Sequence, residues 1–258
     1  MAIALITGAT AGIGAQYARL LAREGFDLIL VARDKKRLSS TAKGLSKEFG
    51  IKVDLLPADL TKPLQLEKVR KRLGDVKKPV DVLINNAGFG INKSFLESEI
   101  KVEQELLDVL VTAPMRLTHA VLPVMLKRNS GIIVNVSSVA SWIAGGTYSA
   151  AKSYLTVFTE SLHTELRSTK VKISALCPGF TRTEFHQRGH MKMKGLPNFL
   201  WLSAEEVVKK SWVDANAGKV ISIPGWQYLI LSSISRFGPR PMVRRIGMNV
   251  RKKQRKVL

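Results

Sequence analysis

Ser138, Tyr148 and Lys152 carry side chains that could exchange a proton with the oxygen of a carbonyl or an alcohol. Tyr148 and Lys152 are four residues apart, so on a helix they lie on one face, one turn from each other. A phenol has an ordinary pKa of about 10, and a nearby ammonium group favours the phenolate and lowers that pKa. Ser138 could hold the substrate oxygen while Tyr148 transfers the proton. The spacing predicts acid–base chemistry, although a Tyr and a Lys at this spacing also occur on ordinary amphipathic helices.

A glycine-rich segment follows the first apolar run of the chain and precedes a helical pattern. Gly8, Gly12 and Gly14 would allow a tight turn and a close approach of the backbone to a pyrophosphate. The following helix would supply N–H donors and positive potential at its first turn. The spacing is GxxxGxG, which differs from the GxGxxG of the usual dinucleotide fingerprint. On its own, the segment is therefore weak evidence for a nucleotide site.

Arg33 and Asp34 end the second apolar run. In dinucleotide sites an acidic residue at this point binds the ribose 2′-hydroxyl, whereas an Arg accommodates a 2′-phosphate. Arg33 therefore favours NADP(H) over NAD(H), while Asp34 keeps the second alternative open. Asp59, after the third apolar run, could hydrogen-bond the adenine amino group.

Apolar runs alternate with amphipathic helical patterns over most of the chain. The predicted strands are 2–6, 27–32, 51–56, 80–84, 131–136, 171–176 and 219–223. Continuous apolar strands that alternate with helices are typical of a parallel sheet covered by helices on both faces. Because the sequence contains neither a linker nor an internal repeat, we predict one doubly wound α/β domain with a seven-stranded parallel sheet over residues 1–225.

The charge of the chain is strongly positive. Its 258 residues include 41 Lys and Arg against 20 Asp and Glu, a formal net charge of +21. Such an excess indicates contact with polyanions, anionic lipid headgroups or acidic partners, although Lys-rich helices are often merely solvated. No apolar run approaches the roughly 18 residues that span a bilayer, and the start shows no signal-peptide pattern, so we expect a cytoplasmic protein. Cys177, the single cysteine, is predicted to be buried.

Residues 226–258 depart from the alternating pattern. An apolar, aromatic segment at 225–231 leads into a basic tail that contains no acidic residue from Arg236 onward. This composition predicts either peripheral membrane contact or packing on a subunit interface, so we expect a C-terminal extension and no second domain. Nucleic-acid binding through phosphates is less favoured, because no nucleic-acid fold or stacking motif accompanies the tail.

In combination, these motifs resemble those of the short-chain dehydrogenase/reductase family. The resemblance rests on TGATAGIG at 7–14, ADL at 58–60, NNAG at 85–88, Ser137-Ser138, YSAAK at 148–152 and PGFTRT at 178–183. It implies a Rossmann-like fold and an NADP(H)-dependent enzyme that interconverts a carbonyl and a secondary alcohol. In the family, a hydride moves between the nicotinamide and the substrate carbon while the tyrosine exchanges the proton. The implied catalytic residues are Ser138, Tyr148 and Lys152.

The resemblance also implies a set of cofactor-binding residues. They are Gly8, Thr10, Gly12, Ile13, Gly14, Arg33, Asp59, Leu60, Asn86, Ala87, Gly88, Tyr148, Lys152, Pro178, Gly179, Thr181 and Thr183. It further implies a homodimer or homotetramer, with the long helix of residues 96–127 and the Tyr148 helix as contact surfaces.

Leu110 is one departure from the family pattern. The family usually has an Asn here, which helps to hold a water in a proton relay through the lysine, and leucine cannot hold water by hydrogen bonding. In one interpretation the relay is rerouted and activity persists, which the presence of Ser138, Tyr148 and Lys152 favours. In the other, the chain is a catalytically weak nucleotide-binding protein that acts through its basic tail on a membrane, nucleic acid or protein partner.

The loop between Ser138 and Tyr148 is a second departure. It contains nine residues, fewer than is common in the family, and we expect Gly145 and Gly146 to permit a tighter turn. Ser138 is expected to keep the catalytic role in preference to Ser137 or Ser141.

Residues 184–202 occupy the position of the family's mobile substrate lid. The lid contains His186, Arg188, His190, Met191, Lys192, Met193, Lys194, Phe199 and Trp201. Its methionines and aromatic rings indicate an apolar or lipid-like substrate, such as a 3-oxoacyl thioester or a steroid-like ketone, and its cations would suit a phosphate or carrier protein. The two histidines could ligate a metal, but no third ligand is evident, so we predict no metal site.

Overall fold

The computed structural model describes residues 2–189, 197–245 and 247, and its centre is a seven-stranded parallel sheet. The strands are β1 (Ile3–Thr7), β2 (Asp27–Ala32), β3 (Val53–Pro57), β4 (Val82–Asn85), β5 (Gly131–Val136), β6 (Val171–Leu176) and, after a small parallel pair of β7 (Thr181–Arg182) and β8 (Leu202–Ser203), β9 (Ile221–Ser222). The strand order is β3-β2-β1-β4-β5-β6-β9. The seven predicted strands and the parallel doubly wound sheet are confirmed.

Helices cover both faces of the sheet. They are α1 (Gly12–Arg23), α2 (Lys35–Phe49), α3 (Pro63–Leu73), α4 (Ile100–Leu107), α5 (Ala113–Arg128), α6 (Thr147–Glu165), α7 (Phe185–Arg188), α8 (Ala204–Asn216) and α9 (Trp226–Phe237). A π-helical turn, Asp108–Thr112, joins α4 to α5, and short 3-10 turns occupy Val139–Trp142 and Asn198–Leu200.

Alternate residues of each strand enter different core layers. Ile6 and Leu30 pack into the layer that contains the buried faces of α1, α2 and α8, whereas Leu5 and Ile29 pack into the layer that contains α3 and α5. Because successive side chains of a strand point to opposite faces, a sheet covered on both sides needs apolar residues at every position. This is why the strands are continuous apolar runs.

A crevice opens where the strand order reverses, between β1 and β4. The loops that leave these two neighbouring strands are held together by Thr7, whose Oγ1 accepts hydrogen bonds from Asn86 N at 2.9 Å and Ala87 N at 3.0 Å. Asn86 Nδ2 also donates to the carbonyl of Thr7 at 2.9 Å. Such a switch point at the carboxyl ends of the strands is where open α/β sheets bind ligands.

The continuous helix from Ile100 to Arg128 is long and apolar enough to cross a membrane by length and composition. The prediction that no segment would reach this limit was therefore wrong. Half of its most apolar window is buried inside the protein, where Leu106, Leu110 and Leu117 pack against neighbouring elements. A core helix that packs on a sheet accounts for this apolar content without a membrane.

Candidate active site

A cleft of about 880 Å³ lies along the carboxyl ends of the central strands. All the residues predicted for catalysis and cofactor binding line it except Gly14. A Cβ at Gly14 would lie 2.3 Å from both the carbonyl oxygen of Gly8 and Nδ2 of Asn86. Gly14 therefore permits close packing beneath residues 8–12, which we call the glycine loop, and does not line the cleft.

The two serines after β5 have different surroundings. Ser137 is buried, and its Oγ donates to the carbonyl of Lys152 at 2.9 Å and lies 2.7 Å from Oγ1 of Thr156. Ser138 faces the cleft, and its Oγ accepts a hydrogen bond from Ala140 N at 3.1 Å. Ser141 is buried outside the walls of the main cleft. The Ser137 hydroxyl is thus already engaged by Lys152 and Thr156, and the role of Ser138 as a ligand of the substrate oxygen stays a prediction.

The short loop before Tyr148 depends on its two glycines. Gly146 precedes the first residue of α6 with φ of 77°, a conformation that side chains with a Cβ rarely adopt. A Cβ at Gly145 would lie 2.3 Å from Oγ of Ser149. The tight turn therefore starts α6 one residue before Tyr148 and brings the phenol next to Ser138.

Tyr148 is in contact with the lid as well as with Ser138. Its ring lies 6.0 Å from the ring of Phe185, centroid to centroid. Burial raises the pKa of Tyr148 to about 12, and a hydrogen bond with Ser138 opposes that rise. The expected lowering of this pKa by the Lys152 ammonium is not found, because burial outweighs the opposing hydrogen bond with Ser138. At neutral pH the phenol keeps its proton and is available as a donor.

Lys152 lies on the same face of α6, one turn beyond Tyr148. Its Nζ donates to the carbonyl of Val136 at 2.6 Å and lies 5.7 Å from the centroid of the Tyr148 ring. Burial lowers the pKa of Lys152 to about 8, so the ammonium form predominates at neutral pH. Cys177 is buried as predicted, and burial raises the pKa of its thiol to about 12, which leaves the thiol neutral beside Lys152.

Leu110 lies in the π-helical turn between α4 and α5 and is buried under Gly88. A Cβ at Gly88 would come within 2.8 Å of Cδ2 of Leu110. Leu110 and Lys152 both border a cavity of about 10 Å³, close to the smallest space that holds one water. Leucine thus fills much of the space between the π turn and the lysine, and it offers no polar atom there.

The charged side chains at the end of the cleft next to Arg33 differ in whether they already have partners. Arg33 lines the cleft and makes no hydrogen bond or ion pair with any residue that the structure describes. Asp34 accepts a hydrogen bond from Arg37 N at 3.0 Å, which caps the first turn of α2. Asp59 Oδ1 accepts from the backbone N of Thr61 at 3.0 Å. The carboxylate of Asp34 is therefore engaged in capping, while the Arg33 guanidinium remains available to an anion.

Arg37 and Glu184 join the glycine loop to the lid, which sequence reasoning missed. Arg37 donates to Glu184 through both terminal nitrogens, at 2.8 and 3.1 Å, and to the carbonyl of Thr10 at 3.2 Å. The hydrogen bonds from Arg37 lower the pKa of Glu184 to about 2, with a further contribution from Arg188. No local signal could have paired two residues 147 positions apart.

Tyr228 is a second missed residue, and it supports the segment 178–183. Its hydroxyl donates to the carbonyl of Leu200 at 2.6 Å and accepts from Phe180 N at 2.9 Å. Its ring packs on Gly179, where a Cβ would lie 2.0 Å from the ring. Thr183, at the end of this segment, would be only 3.0 Å from a Cβ at Gly12, so the segment closes over the glycine loop.

We expect Tyr228→Phe to destabilise the protein by about 1–3 kcal/mol, because it removes both hydrogen bonds to the lid and its neighbouring loop. Nucleotide affinity should fall as well, since the loop over the glycine segment loses its support. Urea unfolding and nucleotide titration measure the two effects, with Tyr154→Phe, at a partly exposed tyrosine of α6, as the matched control. Unchanged values in Tyr228→Phe would contradict the supporting role.

Most of the distal lid is not part of the described structure. His190, Met191, Lys192, Met193 and Lys194 lie outside the described residues, so the predictions that rest on them stay predictions. Phe199 and Trp201 lie within the described part, and the Trp201 ring is 6.0 Å from that of Phe180.

The sheet order, the crevice at its switch point and the Tyr148–Lys152 helix beside it define a Rossmann-like, doubly wound α/β domain. Residues 2–193 match the family model described as short chain dehydrogenase. The chain therefore belongs to the short-chain dehydrogenase/reductase family.

Several curated relatives and solved structures are similar to the chain. The ketoacyl reductase HetN of Nostoc sp. is 37% identical over 179 residues, which are 68% of this chain but only 62% of HetN. The serine 3-dehydrogenase of Agrobacterium fabrum is 34% identical over 70% of this chain and 72% of its own length. A short-chain dehydrogenase from Sphingobium yanoikuyae in complex with NADPH has a TM-score of 0.84 at 34% identity, covering 90% of this chain and 93% of the other.

Proposed function

We propose that the chain is an NADP(H)-dependent oxidoreductase that interconverts a carbonyl and a secondary alcohol. The observation that carries this proposal is the convergence of Ser138, Tyr148 and Lys152 on one cleft that also contains the glycine loop. The chain's similarity to ketoacyl reductase HetN and to an NADPH-bound short-chain dehydrogenase supports it.

The three residues have distinct roles in this proposal. Ser138 holds the carbonyl oxygen by a hydrogen bond, and Tyr148, which is protonated at neutral pH, donates a proton to that oxygen. The nicotinamide, when bound, supplies the hydride to the carbonyl carbon. The charge of Lys152 stabilises the phenolate that remains until a solvent proton restores the phenol. In this proposal Lys152 also holds the nicotinamide ribose. In the reverse direction, Tyr148 accepts the proton of the alcohol.

The residues around the cleft fit a dinucleotide. A Cβ at Gly8 would meet Nδ2 of Asn86 at 2.8 Å, so glycine is needed for the loop to pack against the segment after β4. The same loop lines the cleft, where its backbone could approach a pyrophosphate closely. The free guanidinium of Arg33 and the capping role of Asp34 support a preference for the 2′-phosphate of NADP(H) over the 2′-hydroxyl of NAD(H).

We expect Arg33→Ala to weaken NADPH binding about 10- to 100-fold, the range for loss of a charged hydrogen bond, and to leave NADH binding nearly unchanged. Nucleotide fluorescence titration measures both affinities. Lys36→Ala, at an exposed cation of α2, is the matched control. Equal NADPH affinity in Arg33→Ala and wild type would refute the proposed role of Arg33, and failure of wild type to bind either nucleotide would refute the oxidoreductase proposal.

The substrate that we propose is apolar or lipid-like. Beside Ser138 and Tyr148, the cleft is lined by apolar side chains, among them Ile143, Phe185 and Leu231. The bulky-bulky ketone specific alcohol dehydrogenase from Comamonas testosteroni, at 30% identity and a TM-score of 0.79 over 90% of this chain and 92% of the other, supports this choice. A panel of 3-oxoacyl thioesters, bulky ketones and small sugars with NADPH tests it, and turnover of the sugars alone would rule it out.

Leu110 favours a second candidate function, a nucleotide-binding protein with weak catalysis. It occupies the position of the family's relay Asn and closes the space next to Lys152. Tight NADPH binding with no turnover across the carbonyl panel would support this second function.

We also propose that the chain forms a homodimer or homotetramer through the long helix and α6. Val157 is an exposed apolar residue of α6, and light scattering tests this assembly.

A further inference from the structure

The polarity of α9 is reversed with respect to a helix that packs on a core. Its buried residues include Gln227, Tyr228 and Ser232, whereas Trp226 is 69% exposed and Phe237 is 81% exposed. Leu229, Ile230 and Ile234 are exposed as well. Trp226, Leu229, Ile230, Ile234 and Phe237 recur at helical spacing and form one stripe, which we call the outer face of α9.

The polar inner face has a partner within the protein. Gln227 Nε2 donates to the carbonyl of Phe199 at 2.9 Å, and the Tyr228 hydroxyl donates to the carbonyl of Leu200. Hydrogen bonds thus hold the inner face of α9 against the lid. This contact leaves the apolar stripe facing solvent. A surface helix with exposed Trp, Leu, Ile and Phe side chains within 12 residues is typical of an interaction site.

Every charged side chain that follows α9 in the sequence is positive. The chain has no acidic residue after Asp214, and Arg240, Arg244 and Arg245 are exposed just beyond α9. Arg236, at the end of α9, forms an ion pair with Glu160 of α6 at 3.1 Å. The three arginines beyond α9 make no ion pair with any residue in the described ranges 2–189, 197–245 and 247.

We propose that the outer face of α9 and the adjoining arginines bind an anionic lipid surface. An apolar stripe flanked by cations matches an interface in which acyl chains lie beneath negative headgroups. A second copy of this chain would bring the same positive charge against these arginines, which opposes a homodimer through this face. Nucleic acid would engage the arginines without using the apolar stripe.

Membrane docking would place the cleft beside the lipid. Leu231, Ser232 and Ser235 of α9 line the cleft, so the helix that binds lipid is also part of the cleft wall. The docking proposal does not depend on the proposed oxidoreductase activity, because its test measures lipid binding alone.

Flotation of the full chain with vesicles of phosphatidylcholine alone or mixed with phosphatidylglycerol tests the proposal. We expect binding to the mixed vesicles and little to phosphatidylcholine, with a steep decrease as salt rises. The double variant Ile230→Ser/Phe237→Ser should bind about 10-fold or more weakly, because it removes buried apolar contact. Lipids with brominated acyl chains should quench Trp226, and Trp226→Phe should remove that quenching.

Matched variants separate this site from the general charge and hydrophobicity of the chain. Leu64→Ser/Leu96→Ser changes two exposed leucines elsewhere and should bind vesicles as wild type does. Arg240→Glu/Arg244→Glu should weaken binding about 10-fold or more, whereas Lys68→Glu/Lys71→Glu, at exposed cations of α3, should have a much smaller effect. Circular dichroism and thermal melting confirm that each variant is folded.

Three results would overturn the proposal. The first is failure of wild type to float with the mixed vesicles at low salt. The second is a lower mass of Ile230→Ser/Phe237→Ser than of wild type in light scattering, which would make the outer face a subunit interface. The third is loss of oligonucleotide binding in Arg240→Glu/Arg244→Glu with unchanged vesicle binding, which would assign the cations to nucleic acid.

Discussion

Tyr148→Phe should lower kcat about 10²- to 10⁴-fold while leaving NADPH affinity within about tenfold of wild type. The phenylalanine keeps the ring contact with Phe185, which lies 6.0 Å from the Tyr148 ring, so the wall of the cleft stays in place. It removes the phenolic hydroxyl, which keeps its proton at neutral pH and makes a hydrogen bond with Ser138. Steady-state kinetics on the best substrate of the carbonyl panel, together with nucleotide titration, separate the loss of proton transfer from a loss of binding.

Tyr154→Phe is the matched control for this experiment. Tyr154 lies on the same helix but is partly exposed, and its ring stacks on Phe158 at 5.7 Å. We expect it to behave as wild type. If Tyr148→Phe kept most of the wild-type kcat, the proton would have to come from another group, and the assignment of Tyr148 would fail. A loss of NADPH binding equal to the loss of kcat would indicate a structural role only.

Lys152→Met should abolish most activity and at the same time stabilise the protein near neutral pH. Burial lowers the pKa of Lys152 from its ordinary value of 10.5 to about 8, so the folded state holds this proton less tightly than the unfolded state does. Below pH 8 both states are protonated, and the buried ammonium costs the folded state up to about 3 kcal/mol. Methionine is of similar length and carries no charge, so it removes this cost. It also removes the hydrogen bond to Val136, which offsets part of the gain in stability.

The sign of the pH dependence follows from the same shift. Between about pH 8 and pH 10.5 the unfolded state binds more protons at Lys152 than the folded state, so wild-type stability rises with pH. The stability advantage of Lys152→Met should therefore be largest below pH 8 and should shrink across this window. Tyr148 acts in the opposite direction above pH 10, where its raised pKa makes wild-type stability fall.

Urea unfolding of wild type and Lys152→Met at pH 7 and pH 9.5 measures the difference. Because both proteins contain Tyr148, its titration largely cancels in the comparison. A variant that is less stable than wild type at both pH values would show that the buried ammonium is stabilised by its contacts more than it is penalised by burial. Wild-type kcat in Lys152→Met would remove Lys152 from the proposed mechanism.

Local patterns in the sequence were sufficient to predict the seven strands of the main sheet. Each strand of a covered parallel sheet is a continuous apolar run, and each carries its signal within about six residues. The carboxyl ends of parallel strands lie at one edge of the sheet, so Gly8, Asn86 and Ser138, which follow three of these strands, are expected at the same edge. The four-residue spacing of Tyr148 and Lys152 needs only the periodicity of a helix.

The electrostatic state of the site was not predictable in this way. The pKa of Tyr148 depends on the balance between the burial of the phenol and its hydrogen bond with Ser138, and the sequence does not show how deeply the phenol is buried. The distance of 5.7 Å from the Lys152 ammonium to the ring, and the hydrogen bond of that ammonium to Val136, are properties of the packed site.

What the sequence determined by itself was the class of fold, its strands and the residue types that follow them, because each depends on short-range periodicity and on the order of the elements. Only the tertiary structure decided that Gly14 supports the loop from beneath, that Arg37 pairs with Glu184, that Tyr228 supports the lid, and that the apolar face of α9 is exposed. The first three features join residues that are far apart in the chain, and the fourth depends on which face of α9 packs on the protein. Their energies depend on burial and distance, which exist only once the chain has packed.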